Sequence, residues 1–275
     1  MKLYVIGKPI KHSLSPIIHN FWINKYQIDA IYKKKEIEED QLFKVIEEIK
    51  TKKILGINIT LPYKKKMFRL IDEVSKNAFE SGAVNTLFLK NGKVYGENTD
   101  GKGFIRAIKL DLEFSFKKKN IYVIGAGGAS LGIISELINH DVNKIYITNR
   151  TPEKAIDIIN KFKKRHSKIF FTEWENMVPL DDINLIINTS SLGMRKEDQF
   201  NFDFKNLNKN VLFSDIIYNP KETKLLKEFR KRGYRTTNGL GMLINQAAIA
   251  FNLWFGVLLS KSDINKAKEI CEQNY

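Results

Sequence analysis

Ile121-Tyr122-Val123-Ile124-Gly125-Ala126-Gly127-Gly128-Ala129-Ser130 is the stretch whose reading decides the fold. Four consecutive apolar residues, three of them β-branched, suit a strand buried on both faces. The glycines then let the backbone bend tightly, and Ile133, Ile134, Leu137 and Ile138 give the following helix an apolar face. Glycines placed between a strand and a helix let a pyrophosphate approach the backbone, where the free N–H groups of the helix start meet its charge. A glycine pattern alone is weak evidence. Here a second strand, Lys144 to Thr148, ends about 20 residues further on, at the position that reads the ribose of a dinucleotide. It runs into Asn149-Arg150-Thr151, with no Asp or Glu to hold a free 2′-hydroxyl. An acid there would repel a 2′-phosphate, whereas Arg150, with Lys154 a turn later, would bind one. NADP(H) is therefore expected in preference to NAD; the competing reading is an exposed arginine after a strand.

On the N-terminal side, residues 2–7, Ala30 to Lys34 and Ile54 to Ile59 read as strands, with helices from Ser15 and from about Glu38 to Lys50 between them. That β-α-β-α-β order calls for parallel pairing and right-handed crossovers. Short helical pieces fill 64–80. Ala83 to Leu89 and Lys93 to Glu97 then flank Asn91-Gly92, a strong hairpin signal, so the first sheet is expected to be mixed. Ser15-Pro16 reads as an N-cap hydroxyl followed by proline at the first helical position. Ser13 and Ser15 thus have two readings: loop and cap, which the sequence favours for Ser15, or hydroxyls that bind a polyhydroxylated ligand. Pro62 stops the third strand, and Asn58, Thr60 and Lys64 stand at the mouth of the sheet, where open α/β sheets present ligands. The same stretch also reads as a strand, a proline turn and a helix opening with solvated lysines. Asp100, before a helix from about Gly103 to Leu110, suits a helix amino terminus equally well.

On the C-terminal side, strands near Lys168 to Phe171, Leu185 to Asn188, Val211 to Asp215 and Tyr234 to Thr236, with a helix from about Glu222 to Arg232, continue the alternation. Gly239 to Gln246 opens a long apolar helix reaching about Leu259, and a final helix follows. On that helix Gln246 is either a satisfied core amide or a group aimed at substrate.

Composition sets the outer bounds. At 275 residues and 43% hydrophobic, the chain fits one large or two ordinary domains and is not disordered. Lys plus Arg number 46 against 31 acids, a formal charge of +15. The excess is mostly lysine in short scattered runs without a nucleic-acid recognition motif, so a solvated surface is expected and no nucleic-acid partner. A basic surface also favours encounter with an anionic substrate. Cys271 is the only cysteine, and His12, His19, His140 and His166 are dispersed, so neither a disulfide nor a metal site is expected. A strand beginning at Leu3 leaves no room for a signal peptide, and no apolar run approaches the roughly 18 residues of a membrane span. A cytoplasmic protein without membrane contact is expected.

Taken in order, the motifs resemble the shikimate dehydrogenase family over almost the whole chain. They are Ser13-Leu14-Ser15-Pro16, Asn58-Ile59-Thr60-Leu61-Pro62-Tyr63-Lys64, Gly82-Ala83-Val84-Asn85-Thr86, Asn98-Thr99-Asp100-Gly101 and Gly125-Ala126-Gly127-Gly128-Ala129. Asn149-Arg150-Thr151, Asn188 to Met194, Asp215 to Tyr218 with Pro220 and Thr223, and Gly239-Leu240-Gly241-Met242-Leu243 follow, as far as Gln246-Ala247. The resemblance implies an NADP-dependent enzyme that reversibly reduces 3-dehydroshikimate to shikimate in aromatic amino-acid biosynthesis. It implies an α/β fold in two domains with a cleft between them: 1–100 with 238–275 for substrate, the last helices returning to it, and a Rossmann-type domain, 101–237, for cofactor. By matching positions, Lys64 and Asp100 would be the catalytic pair. Ser13, Ser15, Thr60, Asn85, Tyr218 and Gln246 would join them in holding the substrate. Gly125, Ala126, Gly127, Gly128, Ala129, Asn149, Arg150, Thr151, Lys154, Ile216 and Gly239 would surround the cofactor. A monomer or homodimer is expected.

Elementary chemistry agrees. Hydride arriving at a carbonyl carbon leaves an oxygen that needs a proton and charge stabilisation together, and an ammonium supplies both without a metal. Leu131 and Ser191 depart from residues often basic and proline in the family, which shifts pyrophosphate contacts toward backbone and bears on loop stiffness. The competing readings are a quinate/shikimate dehydrogenase paralogue with relaxed NAD/NADP use and a non-catalytic binding protein of the same fold. The first is opposed by Asn149-Arg150 and by the Ser13/Ser15 pair, the second by the intact Lys64 and Asp100.

Overall fold

The computed structural model describes residues 1–174, 181–194, 198 and 202–274. Two six-stranded sheets organise the chain, which divides into two units: Met1–Gly103 with the segment from Leu243 onward, and Phe104–Met242.

The first unit runs β1 (Lys2–Gly7), α1 (Ser15–Lys25), β2 (Ile31–Glu36), a 3-10 turn (Glu39–Gln41) into α2 (Leu42–Lys50), and β3 (Gly56–Ile59). It continues through α3 (Lys64–Phe68), β4 (Glu73–Val74), α4 (Lys76–Ser81), β5 (Thr86–Lys90) and β6 (Lys93–Glu97) to α5 (Asp100–Asp111), whose first turn belongs to it. The sheet order is β2-β1-β3-β5-β6-β4. β1 pairs in parallel with β2 and β3, and β5 runs antiparallel to β3 and β6, giving the mixed sheet that the hairpin signal predicts. Asn91 and Gly92 both take positive φ, 50° and 77°, the backbone a two-residue hairpin turn demands. Ile46 and Ile49 of α2 pack with Ile6, Ile57, Leu87 and Val94 from the sheet.

The second unit holds β7 (Asn120–Ile124), α6 (Gly128–Asn139), β8 (Lys144–Thr148), α7 (Pro152–Phe162) and β9 (Ile169–Thr172). β10 (Leu185–Asn188), β11 (Leu212–Asp215), α8 (Lys224–Lys231) and β12 (Arg235–Thr237) complete it. All its strands are parallel, in the order β12-β11-β10-β7-β8-β9. The chain winds outward from β7 to β9, then returns to β10 on the other side of β7. That reversal is the topological switch point of a doubly wound Rossmann-type sheet, and its crevice lies beyond the carboxyl end of β7. Every residue of β7 is buried, as its unbroken apolar run requires. α9 (Leu240–Phe255) and α10 (Lys261–Glu272) close the chain. Trp254 of α9 lies on β3: a Cβ at Gly56 would fall 2.2 Å from its ring nitrogen, so only glycine fits there.

Several local expectations are corrected. The N-cap of α1 is Leu14, without a side-chain cap, and Ser15 is the first helical residue, buried rather than capping. The segment 64–80 contains a short strand, β4, beside β6. α5 begins at Asp100 itself, β5 begins one residue after Asn85, and α9 ends at Phe255, followed by Gly256 at φ 69°.

Candidate active site

The carboxyl end of the first sheet gathers a dense polar cluster. β3 ends at Ile59, Leu61-Pro62 is a cis peptide, and Lys64 opens α3. Asp100 opens α5 thirty-six positions later. Lys64 Nζ lies 2.6 Å from Asp100 Oδ2, the two side chains 13% and 6% exposed. An ammonium and a carboxylate this sheltered keep their attraction, and the residual opening lies on the lysine side.

Asn85 locks the carboxylate. Its Nδ2 donates to Asp100 Oδ1 at 2.8 Å and to Thr99 Oγ1 at 2.9 Å, while its Oδ1 accepts the Thr99 N–H at 2.8 Å. With one carboxylate oxygen committed to Asn85, the other faces Lys64. Gln246 enters from α9, its Oε1 accepting from Asn85 and Thr99 at 3.3 Å each and its Nε2 donating to Leu243 O at 2.8 Å. Gly103 makes the approach of α5 and α9 possible, since a Cβ there would lie 2.6 Å from the Gln246 backbone nitrogen. Ser13 accepts the Ser15 N–H at 3.3 Å. Thr60 is half-buried and donates its N–H to Ile6 O at 2.9 Å.

Of the eight expected substrate residues, seven belong to this unit. Lys64, Asp100, Asn85 and Gln246 form one hydrogen-bonded group, while Ser13, Ser15 and Thr60 stand outside it. Tyr218 belongs to the second unit, on the segment after β11. Sequence reasoning gives no role to Thr99, which joins Asn85 to Gln246 and is fully buried. Its position beside Asp100 in Asn98-Thr99-Asp100 is the one signal for it. Asn58, which the sequence places at the sheet mouth among the ligand-presenting side chains, is instead buried and spent inside the protein, donating its amide to Asn85 O at 3.1 Å.

The second unit presents a different kind of site. Gly125 has φ 107°, and a Cβ on it would fall 2.8 Å from Ser190 N, so the turn after β7 needs glycine. At Gly127 and Gly128 a Cβ would meet nothing within 4 Å. Gly127 caps α6 without a side-chain acceptor, so no cap takes up the first amides of the helix, and Ala129 is half-buried in that first turn. A phosphate fits the room at those glycines and those donors. Asn149 is spent inside the protein: its Oδ1 accepts the Ala126 N–H at 3.0 Å and its Nδ2 donates to Thr151 O at 2.8 Å. It therefore ties the glycine turn to the end of β8 and fixes the backbone on either side of Arg150. Arg150 and Lys154 are exposed and, among the described residues, make no ion pair. Two unspent cations beyond the glycine turn suit the 2′-phosphate of NADP. Gly239 donates its N–H to Ile217 O at 3.0 Å, and a Cβ there would lie 1.9 Å from Ile216 O, so that close approach also demands glycine.

Asp215 is a buried carboxylate beneath this loop. It accepts from Asn188 Nδ2 at 3.1 Å, the Ile217 N–H at 3.0 Å and Thr223 Oγ1 at 2.7 Å. Burial pushes its pKa up to about 6, against the lowering effect of those three donors. Among the described residues, no group of His, Cys, Asp or Glu could hold a metal ion, and no helix is long and apolar enough to cross a membrane.

Comparison with known proteins agrees along the whole chain. Residues 5–87 match the shikimate dehydrogenase substrate-binding domain, 108–236 the shikimate/quinate 5-dehydrogenase family and 239–267 the shikimate 5′-dehydrogenase C-terminal domain. A shikimate dehydrogenase (NADP+) of Pelagibacter ubique is 41% identical over 92% of this chain and 93% of its own. The crystal structure of shikimate dehydrogenase from Aquifex aeolicus superposes with a TM-score of 0.88 at 38% identity, covering 97% of both chains. That of shikimate 5-dehydrogenase from Thermus thermophilus, in complex with NADP(H) and shikimate, gives 0.86 at 28% identity, covering 98% of both. The doubly wound sheet with its glycine turn, the sheltered lysine–carboxylate pair and these matches lead to one conclusion: the chain belongs to the shikimate dehydrogenase family.

Proposed function

We propose that this chain catalyses the reversible, NADPH-dependent reduction of 3-dehydroshikimate to shikimate, with Lys64 and Asp100 as its catalytic pair. The observation that carries this reading is the 2.6 Å contact between Lys64 Nζ and Asp100 Oδ2, with Asn85 bonded to the other carboxylate oxygen. The cofactor, when bound, supplies a hydride to the carbonyl carbon. Lys64 then delivers a proton to the oxygen on which charge develops, so ketone, hydride and proton sum to the alcohol. Asp100 accepts a hydrogen bond from the ammonium and fixes where it points; in the oxidative direction the amine takes the proton from the hydroxyl. Ser13, Ser15, Thr60, Asn85, Tyr218 and Gln246 are assigned to the substrate's hydroxyls and carboxylate. On the cofactor side, the turn Gly125 to Ala129 would receive the pyrophosphate, Asn149, Arg150, Thr151 and Lys154 the 2′-phosphate end, and Ile216 and Gly239 would border the nicotinamide end.

The test is absorbance at the reduced-nicotinamide band when shikimate and NADP are added to the protein. Growth of the band with shikimate but not quinate supports the assignment; growth with quinate and NAD in preference points to the paralogue. We assign the enzyme to the cytoplasm, since its one cysteine, Cys271, is a buried free thiol and the chain carries no disulfide framework of the kind oxidising compartments favour. It is assigned as a monomer or homodimer, which sedimentation separates.

A further inference from the structure

Tyr32 is the only fully buried residue of β2, 1% exposed in an edge strand otherwise rich in lysine. Three contacts of different kinds hold it. Asn20 of α1 spans its backbone, Nδ2 donating to Tyr32 O at 2.9 Å and Oδ1 accepting the Tyr32 N–H at 2.9 Å. His19, the preceding residue, lays its ring flat on the tyrosine, centroids 4.3 Å and planes 11° apart. Burial pushes the His19 pKa down to about 3, so the plate against the tyrosine is an uncharged imidazole. The third contact is at the hydroxyl, which donates to Asn58 Oδ1 at 2.7 Å.

Asn58 carries the constraint onward. Its Nδ2 donates to Asn85 O at 3.1 Å and to Thr86 Oγ1 at 3.0 Å, and the Thr86 hydroxyl donates to Asn85 Oδ1 at 3.1 Å. Ser15 also faces the Tyr32 hydroxyl, where its hydrogen bonding opposes the rise in pKa that burial imposes on the tyrosine. Amide groups such as Asn58 and Asn85 have two orientations, and only a fixed donor or acceptor decides between them. The Asn85 carbonyl, which can only accept, turns the Asn58 nitrogen toward Asn85, and the Tyr32 hydroxyl supplies the donor that the Asn58 oxygen then needs, holding the amide in that orientation. Without it, either orientation of Asn58 leaves a buried group unpaired.

We propose that Tyr32 is a positioning residue of the dehydrogenase: its hydroxyl orients Asn58 and, through Asn58 and Thr86, presents Asn85 to the substrate already aligned. The proposal rests on the assignment of Asn85 to the substrate made above. Tyr32 itself touches no ligand, since its ring is enclosed and its hydroxyl is directed inward.

Tyr32→Phe is the test, because it keeps the ring on His19 and the backbone on Asn20 and removes only the hydroxyl. The shikimate KM is expected to rise about tenfold, the effect of one buried hydrogen bond, with kcat changed less than about threefold and the NADP KM unmoved. In an Asn58→Ala background the same substitution is expected to add nothing further, because the hydroxyl acts through Asn58. An unchanged shikimate KM, or effects that simply add in the double variant, overturns the proposal. A lowered melting temperature with both KM values raised together also overturns it, marking a purely structural role. Should Asn58→Ala fail to fold, the split between KM and kcat in Tyr32→Phe decides. Asn85→Ala separates this proposal from the site assignment. If it leaves the shikimate KM unchanged, that assignment fails; if it raises the KM while Tyr32→Phe is silent, only the positioning role fails.

Discussion

The two sheets end in sites built on opposite principles. Beyond the first, Asn58, Asn85, Thr86, Thr99, Asp100 and Gln246 are buried side chains already bonded to one another. Beyond the second stand glycine backbone, the uncapped amino end of α6 and two exposed cations, Arg150 and Lys154. A ligand whose hydroxyls must be told apart needs donors and acceptors held in advance, because a mismatched polar group in a dry site stays unpaired. A pyrophosphate needs only charge and N–H groups, which any sequence with the right backbone supplies. On the assignments proposed above, the difference teaches where each specificity resides: in buried side chains for substrate, and in chain geometry with the two cations Arg150 and Lys154 for cofactor.

Replacing Lys64 breaks the comparison most severely. Lys64→Ala is expected to lower kcat by about a thousandfold, the scale of a lost general acid, while NADPH affinity measured by fluorescence titration stays nearly constant. A large loss of NADPH binding would contradict the division of labour. Two glycines test each side in turn. Gly103→Ala drives a methyl against the Gln246 backbone and Gly239→Ala drives one against Ile216 O. Each is expected to cost about 1–3 kcal/mol in chemical denaturation. The first should raise the shikimate KM and spare NADP, the second the reverse. Arg150→Ala is expected to raise the NADPH KM about tenfold and to narrow the gap to NADH, both read from steady-state rates. An unchanged preference would remove Arg150 from the phosphate site.

The remaining contrast is in stability against pH, where the two units should slope in opposite directions. His19, in the first, has a folded pKa below its unfolded 6.5, so its contribution is whole above 6.5 and is lost as pH falls toward about 3. Asp215, in the second, has a folded pKa raised from 3.8 to about 6, so its contribution is whole below 3.8 and is lost as pH rises through 6. Each slope is at most about 1.4 kcal/mol per pH unit. Urea midpoints of His19→Phe and Asp215→Asn between pH 4 and 7, compared with the parent, should change slope with opposite signs.

Legibility in the sequence obeys the same division. The glycine turn, β7 and the cation beyond β8 are local features, readable from a continuous stretch, as is the Asn91-Gly92 hairpin. Lys64 can be placed at the end of a strand, but nothing in its neighbourhood announces Asp100; that pairing comes from family resemblance, and the 2.6 Å contact accompanies it. Ser15 misleads because Ser-Pro is a good capping signal, yet tertiary burial turns the serine inward and leaves Leu14 at the cap. Tyr32 gives no signal at all, since its importance lies in contacts with Asn20 and Asn58, which no periodicity reports.

The clamp by which Asn20 grips β2 also bears on how these molecules behave when crowded. Ile31 sends its N–H inward to Met1 O, so Tyr32, Lys34 and Glu36 turn their backbone groups to the free edge of β2, and Asn20 has already claimed both groups of Tyr32. A strand from a neighbouring molecule would find the first of those positions taken, and Lys33 and Lys34 alongside would repel a like-charged copy. The side chain that steadies a tyrosine for catalysis thus also serves as a guard against runaway sheet polymerisation.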